Sequence, residues 1–234
     1  MAEKETKTST GTEVMDWLLE GGYEKDAITT IYGPAGSGKT NLCLLCISNS
    51  VKGKKVIYID SEGSFSVSRF KQICPDYKEV IKKILFLNPT NFSEQKKAFS
   101  KLKELVDDNT GLIVFDSVAM IYRLEMGKAK DIYKVNRELG IQIGFLTEIA
   151  RKKNIPVIIT NQVYADFEKK DKIKMVGGDL LKYQSKCLVE LEKLEDGVRK
   201  ATIVKHRSLP EGKSILFRIV DSGVEEVGLG QAED

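Results

Sequence analysis

The chain of 234 residues has one histidine, one tryptophan and four cysteines. The lone imidazole, His206, and the absence of a second C-x-x-C pair leave too few soft ligands for an ordinary tetrahedral zinc site. Cys43 and Cys46 do stand at C-x-x-C spacing. They are flanked by Leu42, Leu44, Leu45 and Ile47, which reads as small core residues rather than a redox pair. No apolar run approaches the ~20 residues that span a bilayer. The start, Met1 to Lys7, has no apolar core, so it is not a secretory signal. A cytoplasmic protein without membrane contact is expected. The chain also lacks strong charge of one sign: the net is +3, with no polybasic tail, so any nucleic-acid binding must come from local patches. With 41% hydrophobic and 30% charged residues, it has the composition of a globular protein, of a length suited to one α/β domain.

What is present is concentrated in Gly33-Pro34-Ala35-Gly36-Ser37-Gly38-Lys39-Thr40, which fits G-x-x-x-x-G-K-[ST] at every fixed position. Ala27 to Tyr32 before it reads as a strand, and Thr40 to Ser50 after it as a helix. In that context the loop N–H groups and the helix N-terminus cradle nucleotide phosphates. Lys39 is the phosphate-binding cation and the Thr40 hydroxyl an Mg²⁺ ligand.

Residues 1–9 are polar and read as a flexible tail. Thr10-Gly11-Thr12-Glu13 resembles a capping box opening a helix to Leu19. Strands are expected at Lys55–Asp60, Ile84–Leu87, Leu112–Asp116 and Pro156–Asn161. Helices are expected at Ser66–Cys74, Tyr77–Lys83, Phe92–Val106 and Ala129–Lys153. This alternation predicts an α/β fold, a mostly parallel twisted sheet with helices on both faces. Lys186–Leu191, Val198–Arg207 and Ser214–Val220 then follow without helices, as a C-terminal antiparallel meander. One domain over 10–222 is expected, with residues 223–234 as a second flexible tail.

Four further features could carry chemistry. Asp116 closes an apolar strand, the expected place of a second Mg²⁺ contact. Glu62, just past a neighbouring strand, is either a base for an attacking water or a solvated loop carboxylate. Gln162 follows the fifth strand and could bond a γ-phosphate, ordering or releasing the adjacent segment 163–178. That segment carries Lys169, Lys170, Lys172 and Lys174 beside Tyr164 and Phe167, a set suited to single-stranded nucleic acid, though an acid-balanced solvated loop fits as well. Lys205 and Arg207 project to one face of a strand. They are either a cationic finger reaching a phosphate, most naturally across a homo-oligomer interface, or two exposed basic residues on an edge.

Taken together these segments resemble the RecA superfamily, most closely the archaeal RadA/RadB branch. The match runs from Ser9-Thr10-Gly11 and Leu18 to Gly22, through Ile31 to Asn41, to Tyr58-Ile59-Asp60-Ser61-Glu62-Gly63-Ser64-Phe65. It continues with Leu112 to Ser117 and Ile159-Thr160-Asn161-Gln162-Val163, in the order of that family. The resemblance implies a RecA-like P-loop ATPase core. It implies Glu62 as catalytic glutamate, Gln162 as γ-phosphate sensor, and Asn41 and Arg69 at the nucleotide, with Arg69 packing on adenine. Residues 123–131, beginning with Arg123, would be a first DNA loop and 163–178 the second.

The departures matter too. Only about eight residues precede Thr10, where RadA carries a helical domain. No phenylalanine is followed by alanine at the third position, as in the subunit-linking segment of RadA, and Ser66 stands where the family commonly has arginine. The resemblance is therefore to the short RadB-type paralogues. It implies ATP and Mg²⁺ binding, weak hydrolysis, single-stranded DNA binding and assistance to the RadA recombinase. It also implies contacts with a Holliday-junction resolvase and a replicative polymerase subunit. A RadA-like strand-exchange recombinase and a KaiC-like signalling ATPase without DNA are the alternatives.

Overall fold

The protein is described by a computed structural model over residues 6–50, 53–165 and 173–228. The chain begins with β1 (Lys7–Thr8), α1 (Glu13–Leu18), β2 (Tyr23–Glu24), β3 (Ile28–Gly33), α2 (Lys39–Ser50) and β4 (Lys55–Asp60). It continues with α3 (Val67–Ile73), α4 (Tyr77–Ile81), β5 (Ile84–Leu87), α5 (Phe92–Leu105), β6 (Thr110–Asp116), α6 (Ala119–Lys128) and α7 (Ile132–Lys153). Then come β7 (Val157–Ala165), β8 (Ile173–Met175), α8 (Gly178–Gln184), β9 (Cys187–Lys193), β10 (Val198–His206), β11 (Ser214–Val220) and β12 (Gly223–Glu226).

The main sheet runs β12-β11-β10-β9-β3-β7-β6-β4-β5, with β8 paired to β7. From β9 to β5 the neighbours are parallel, and from β9 to β12 they are antiparallel. The central strands are apolar on both faces because each face is covered. Val56, Tyr58, Leu112, Val114 and Ile158 join the cluster containing α1 and α2. Their neighbours Ile57, Ile59, Ile113, Phe115, Val157 and Ile159 join the cluster containing α5, α6 and α7. All four cysteines are buried and outside any disulfide, with Cys43 and Cys46 inside the first cluster.

Several expectations need correction. Neither end is wholly a tail: Lys7–Thr8 pairs with Tyr23–Glu24, and Gly223–Glu226 adds a fourth strand to the meander. Thr12 caps α1 without a side-chain hydrogen bond; the Asp16 carboxylate instead takes the Thr10 N–H and the Ser9 hydroxyl, each at 2.6 Å. Residues 123–128 are helical, and only 129–131 link α6 to α7, whose N-terminus is capped by Asp131. Segment 163–178 is not one open loop, since Val163–Ala165 pairs with Ile173–Met175. Among the described residues no helix is long and apolar enough to cross a membrane.

A tight approach fixes the N-terminal segment on α2. Gly11 adopts φ +84, and a Cβ there would lie 2.0 Å from the Leu45 carbonyl oxygen. Gly11→Ala is therefore expected to destabilise the protein by about 2 kcal/mol or more, through both backbone strain and overpacking. Chemical denaturation measures this, and a stability unchanged within about 0.5 kcal/mol would refute the contact.

Candidate active site

Strand alternation gathers the polar residues of the site. Asp60, Asp116 and Thr160 continue the series that faces α2, because each stands two residues beyond a member of that cluster: Tyr58, Val114 and Ile158. Pairing sets Asp60 opposite Asp116 and Gly33 opposite Gln162. The carboxyl ends of β3, β4, β6 and β7 thus converge where α2 begins, the usual place for a ligand in an open α/β sheet.

The loop between β3 and α2 is built for close approach. Gly36 and Gly38 adopt φ +73 and +104, and a Cβ on Gly33 would lie 2.2 Å from the Leu191 carbonyl oxygen. The Lys39 ammonium folds onto the loop, donating to the carbonyls of Gly33 at 2.9 Å and Pro34 at 2.8 Å. Burial lowers its pKa from the ordinary lysine value, against the opposing pull of the Asp116 and Glu62 carboxylates. The Ser37 hydroxyl and the Asn41 amide nitrogen are buried without a partner.

Asp116 is 2% exposed, and every donor described on its carboxylate is a hydroxyl. Thr40, Tyr58 and Ser64 donate to Oδ2, each at 2.8 Å, and Thr160 donates to Oδ1. Burial, with the neighbouring Asp116 charge, pushes the Tyr58 phenol well above its ordinary value, so Tyr58 stays a neutral donor. A buried carboxylate beside a threonine hydroxyl is a hard, all-oxygen donor set, which suits Mg²⁺.

Glu62 lies in the turn after β4. Asp60 shapes that turn by accepting the N–H groups of Ser64 at 3.0 Å and Phe65 at 3.1 Å. Phe65 anchors it against Tyr58, Phe70 and Phe86. The Gln162 side-chain amide donates to both Glu62 oxygens, at 3.1 and 3.0 Å, and the Ser117 hydroxyl donates to Oε1. Ser117 is held in turn by Ser61, whose hydroxyl accepts its N–H at 3.1 Å. Glu62, Gln162, Ser117, Asp116, Lys39 and Thr40 line one cavity of about 370 Å³, together with Ala35, Gly36, Gly38 and Asn41.

Arg69 is in the same wall. Its Nε donates to Asn41 Oδ1 at 2.8 Å, and its other nitrogens donate to Gln72 and to the carbonyls of Val220, Asp221 and Gly223. The guanidinium thus ties the cavity to the turn between β11 and β12.

Lys205 and Arg207 stand elsewhere. β10 returns antiparallel to β9, so its late residues reach the sheet edge opposite the phosphate loop. Lys205 donates to the carbonyls of Lys182 and Ser185, and Arg207 pairs with Glu24 at 2.8 Å and Asp26 at 2.9 Å. The antiparallel return brings two other cations to the loop. The Arg199 guanidinium lies 3.5 Å from the Gly36 carbonyl, and the Lys193 ammonium 3.8 Å from where a Gly36 Cβ would stand. Arg123 is exposed on α6, in the wall of a separate cavity of about 650 Å³ with Met126, Val176 and Leu180. Lys169, Lys170 and Lys172 lie outside the described residues, while the backbone of Lys174, in β8, pairs with that of Tyr164 in β7.

Sequence reasoning missed the hydroxyls of Tyr58, Ser64, Ser117 and Thr160, as well as Lys193 and Arg199. All four hydroxyls stand within motifs already singled out, so their place beside Asp60, Asp116 and Asn161 was the available signal.

A family model described as Rad51 matches residues 3–227. The chain is 44% identical over 215 residues to the DNA repair and recombination protein RadB of Methanococcus maripaludis, covering 91% of this chain and 97% of that one. It is 44% identical over 212 residues to the protein of the same name in Methanococcoides burtonii, covering 90% and 93%. A solved structure, the crystal structure of the RadB recombinase, superposes with a TM-score of 0.81 at 38% identity, covering 94% of this chain and 99% of that one.

Proposed function

The chain belongs to the Rad51 family, among its RadB proteins of DNA repair and recombination, and from that premise we propose that it is an ATP-dependent, DNA-binding accessory factor. The observation that carries the reading is the convergence of the Lys39 loop, the Thr40–Asp116 pair and the Glu62–Gln162 pair on one cavity. In this reading the triphosphate is the substrate, bound by the loop N–H groups, and Lys39 turns from the loop carbonyls toward it. Thr40 and Asp116 would hold Mg²⁺, which supplies neutralisation of phosphate charge when bound. Glu62 orients and deprotonates the attacking water, and Ser117 holds the carboxylate in place.

Gln162 is the reporter. Its amide has one set of donors, now spent on Glu62, and a γ-phosphate oxygen competes for them. Gln162 stands within β7, and the strand continues from it through Val163 to Ala165, so moving that amide shifts the start of the adjacent segment. Nucleotide state thereby sets DNA affinity at that segment. Single-stranded DNA is the proposed polymer and the RadA recombinase the proposed beneficiary. The polar cavity and the Glu62–Gln162 link favour an ATPase switch over a purely structural nucleotide.

Fluorescence anisotropy with labelled single strands tests this, with and without ATP and Mg²⁺ over a range of salt. Nucleotide-dependent, salt-sensitive binding is expected. Nucleotide-independent binding would refute the switch. A strand-exchange assay with RadA, in the presence and absence of this chain, separates assistance from a recombinase activity of its own.

A further inference from the structure

A groove between α5 and α7 carries cations on both walls. Lys96, Lys97 and Lys101 come from α5, and Lys134 and Arg137 from the first turns of α7. With Glu125 and Glu138 these make five cations against two carboxylates around a cavity of about 1050 Å³. Lys96 is engaged with Glu138 at 3.2 Å, and Lys134 with Asp131 at 3.4 Å. Among the described residues Lys97, Lys101 and Arg137 form no close ion pair, although the Glu94 carboxylate on the same helix feels the Lys97 charge, and all three are exposed. Phe92, Val135 and Ile141 supply an apolar floor.

We infer that this groove is a track for a nucleic-acid phosphate backbone, separate from the segment next to Gln162. Three arguments select that occupant. First, Lys97 and Lys101 are four residues apart on one helix, so their Cα atoms are separated by about 6 Å along it, a spacing that lets two lysines meet neighbouring phosphates of one strand. Second, lysine and arginine stems cover an apolar floor while keeping their charged heads in water, so the groove receives a charged polymer without losing its own solvation. Third, the groove is continuous in sequence with the α6–α7 link at 129–131, where Lys128 and Lys130 extend the basic run away from Asp131. The inference rests on the DNA-binding reading above but places a contact that the reading does not need.

The test is a triple variant, Lys97→Gln, Lys101→Gln and Arg137→Gln, all at exposed helix positions where glutamine keeps good helix propensity. Binding to single-stranded and duplex oligonucleotides is measured from low to moderate salt, beside nucleotide affinity and the melting curve. Loss of three phosphate contacts lowers the slope of log K against log salt on a single strand by about 2, because each contact contributes about 0.7. Nucleotide affinity is expected to stay at the wild-type value. A companion variant, Lys97→Arg with Lys101→Arg and Arg137→Lys, keeps the charge and restores the slope.

An unchanged slope on both polymers, in a protein that otherwise binds DNA, overturns this inference alone, and is what a groove for an acidic protein would give. A wild-type protein with no salt-dependent DNA binding overturns both this inference and the DNA reading of the function.

Discussion

Replacing Glu62 with glutamine is expected to lower ATP turnover by about 10²- to 10⁴-fold, the usual worth of a positioned general base, with ATP affinity essentially retained. Among the described residues Glu62 is the only carboxylate lining the cavity besides Asp116, and Asp116 is surrounded by hydroxyls that fix it as an acceptor. Glutamine preserves the size of the side chain and can still accept from Ser117, so the turn anchored by Phe65 should keep its shape. It cannot take a proton from water. It also presents an amide to the Gln162 amide, which must then rotate to keep one bond where it now makes two. The variant should therefore bind ATP with one of the two Gln162 bonds already given up, and its DNA affinity should shift toward that of the ATP-bound wild type. Single-turnover hydrolysis with matched anisotropy measurements checks both effects. Turnover within a factor of two of wild type would remove Glu62 from the chemistry. Ser117→Ala, which only unties the carboxylate, is expected to cost much less, in turnover rather than in nucleotide affinity.

How much of this was readable beforehand follows from the range over which each signal acts. The turn between β3 and α2 was legible because a motif of this kind needs particular residues at fixed short spacing, with glycine at Gly36 and Gly38 where φ is positive. The parallel strands were legible because Val56 to Ile59 and Leu112 to Phe115 are apolar on both faces. Asp116 could be placed at a strand end and Glu62 just past one for the same reason, whereas Gln162 lies inside β7, which runs on to Ala165 by pairing with β8.

The hydroxyl cage was not legible. Only Thr40 was singled out beforehand; Tyr58, Ser64 and Thr160 meet at Asp116 through the pairing of β4, β6 and β7, and their place within the quoted motifs does not by itself tell which hydroxyls would do so. Helix α6 itself was hidden, and 123–131 read as a loop before the helix expected at Ala129–Lys153, because Ala119–Lys128 has almost no amphipathic bias. Lys205 and Arg207 were a question of direction. Alternation suggested one shared face, but β10 slips register between Ile203 and Lys205 and ends at His206, and the edge they reach depends on β9 running parallel to β3, which makes β10 lead away from the loop after β3. The same reversal explains why Lys193 and Arg199, at the near ends of the two strands, meet the loop instead.

Lys39→Ala is expected to weaken ATP binding by about 10- to 100-fold, the range for losing charge-assisted hydrogen bonds worth about 1.5–3 kcal/mol. The present geometry makes this a clean deletion. The Lys39 ammonium now bonds the carbonyls of Gly33 and Pro34, and both belong to a loop whose path is set by its glycines and by the close approach to Leu191. Losing the side chain should therefore remove a ligand contact without collapsing the cradle. The pH dependence sharpens the prediction. Burial holds the Lys39 pKa below the ordinary lysine value in the ligand-free protein, so its ammonium begins to lose its proton at a lower pH than an exposed lysine would. A phosphate selects the protonated form, so nucleotide binding above that lowered pKa must take up a proton. The sign is then fixed: ATP affinity falls as pH rises through the alkaline range, and it starts to fall before the pH at which free lysine titrates. The alanine variant has no such proton to take up, and its affinity should be flat over the same window. Isothermal titration calorimetry in two buffers of different ionisation enthalpy counts the proton directly. Equal proton uptake in wild type and variant, or equal ATP affinity at neutral pH, would place the triphosphate somewhere other than on Lys39.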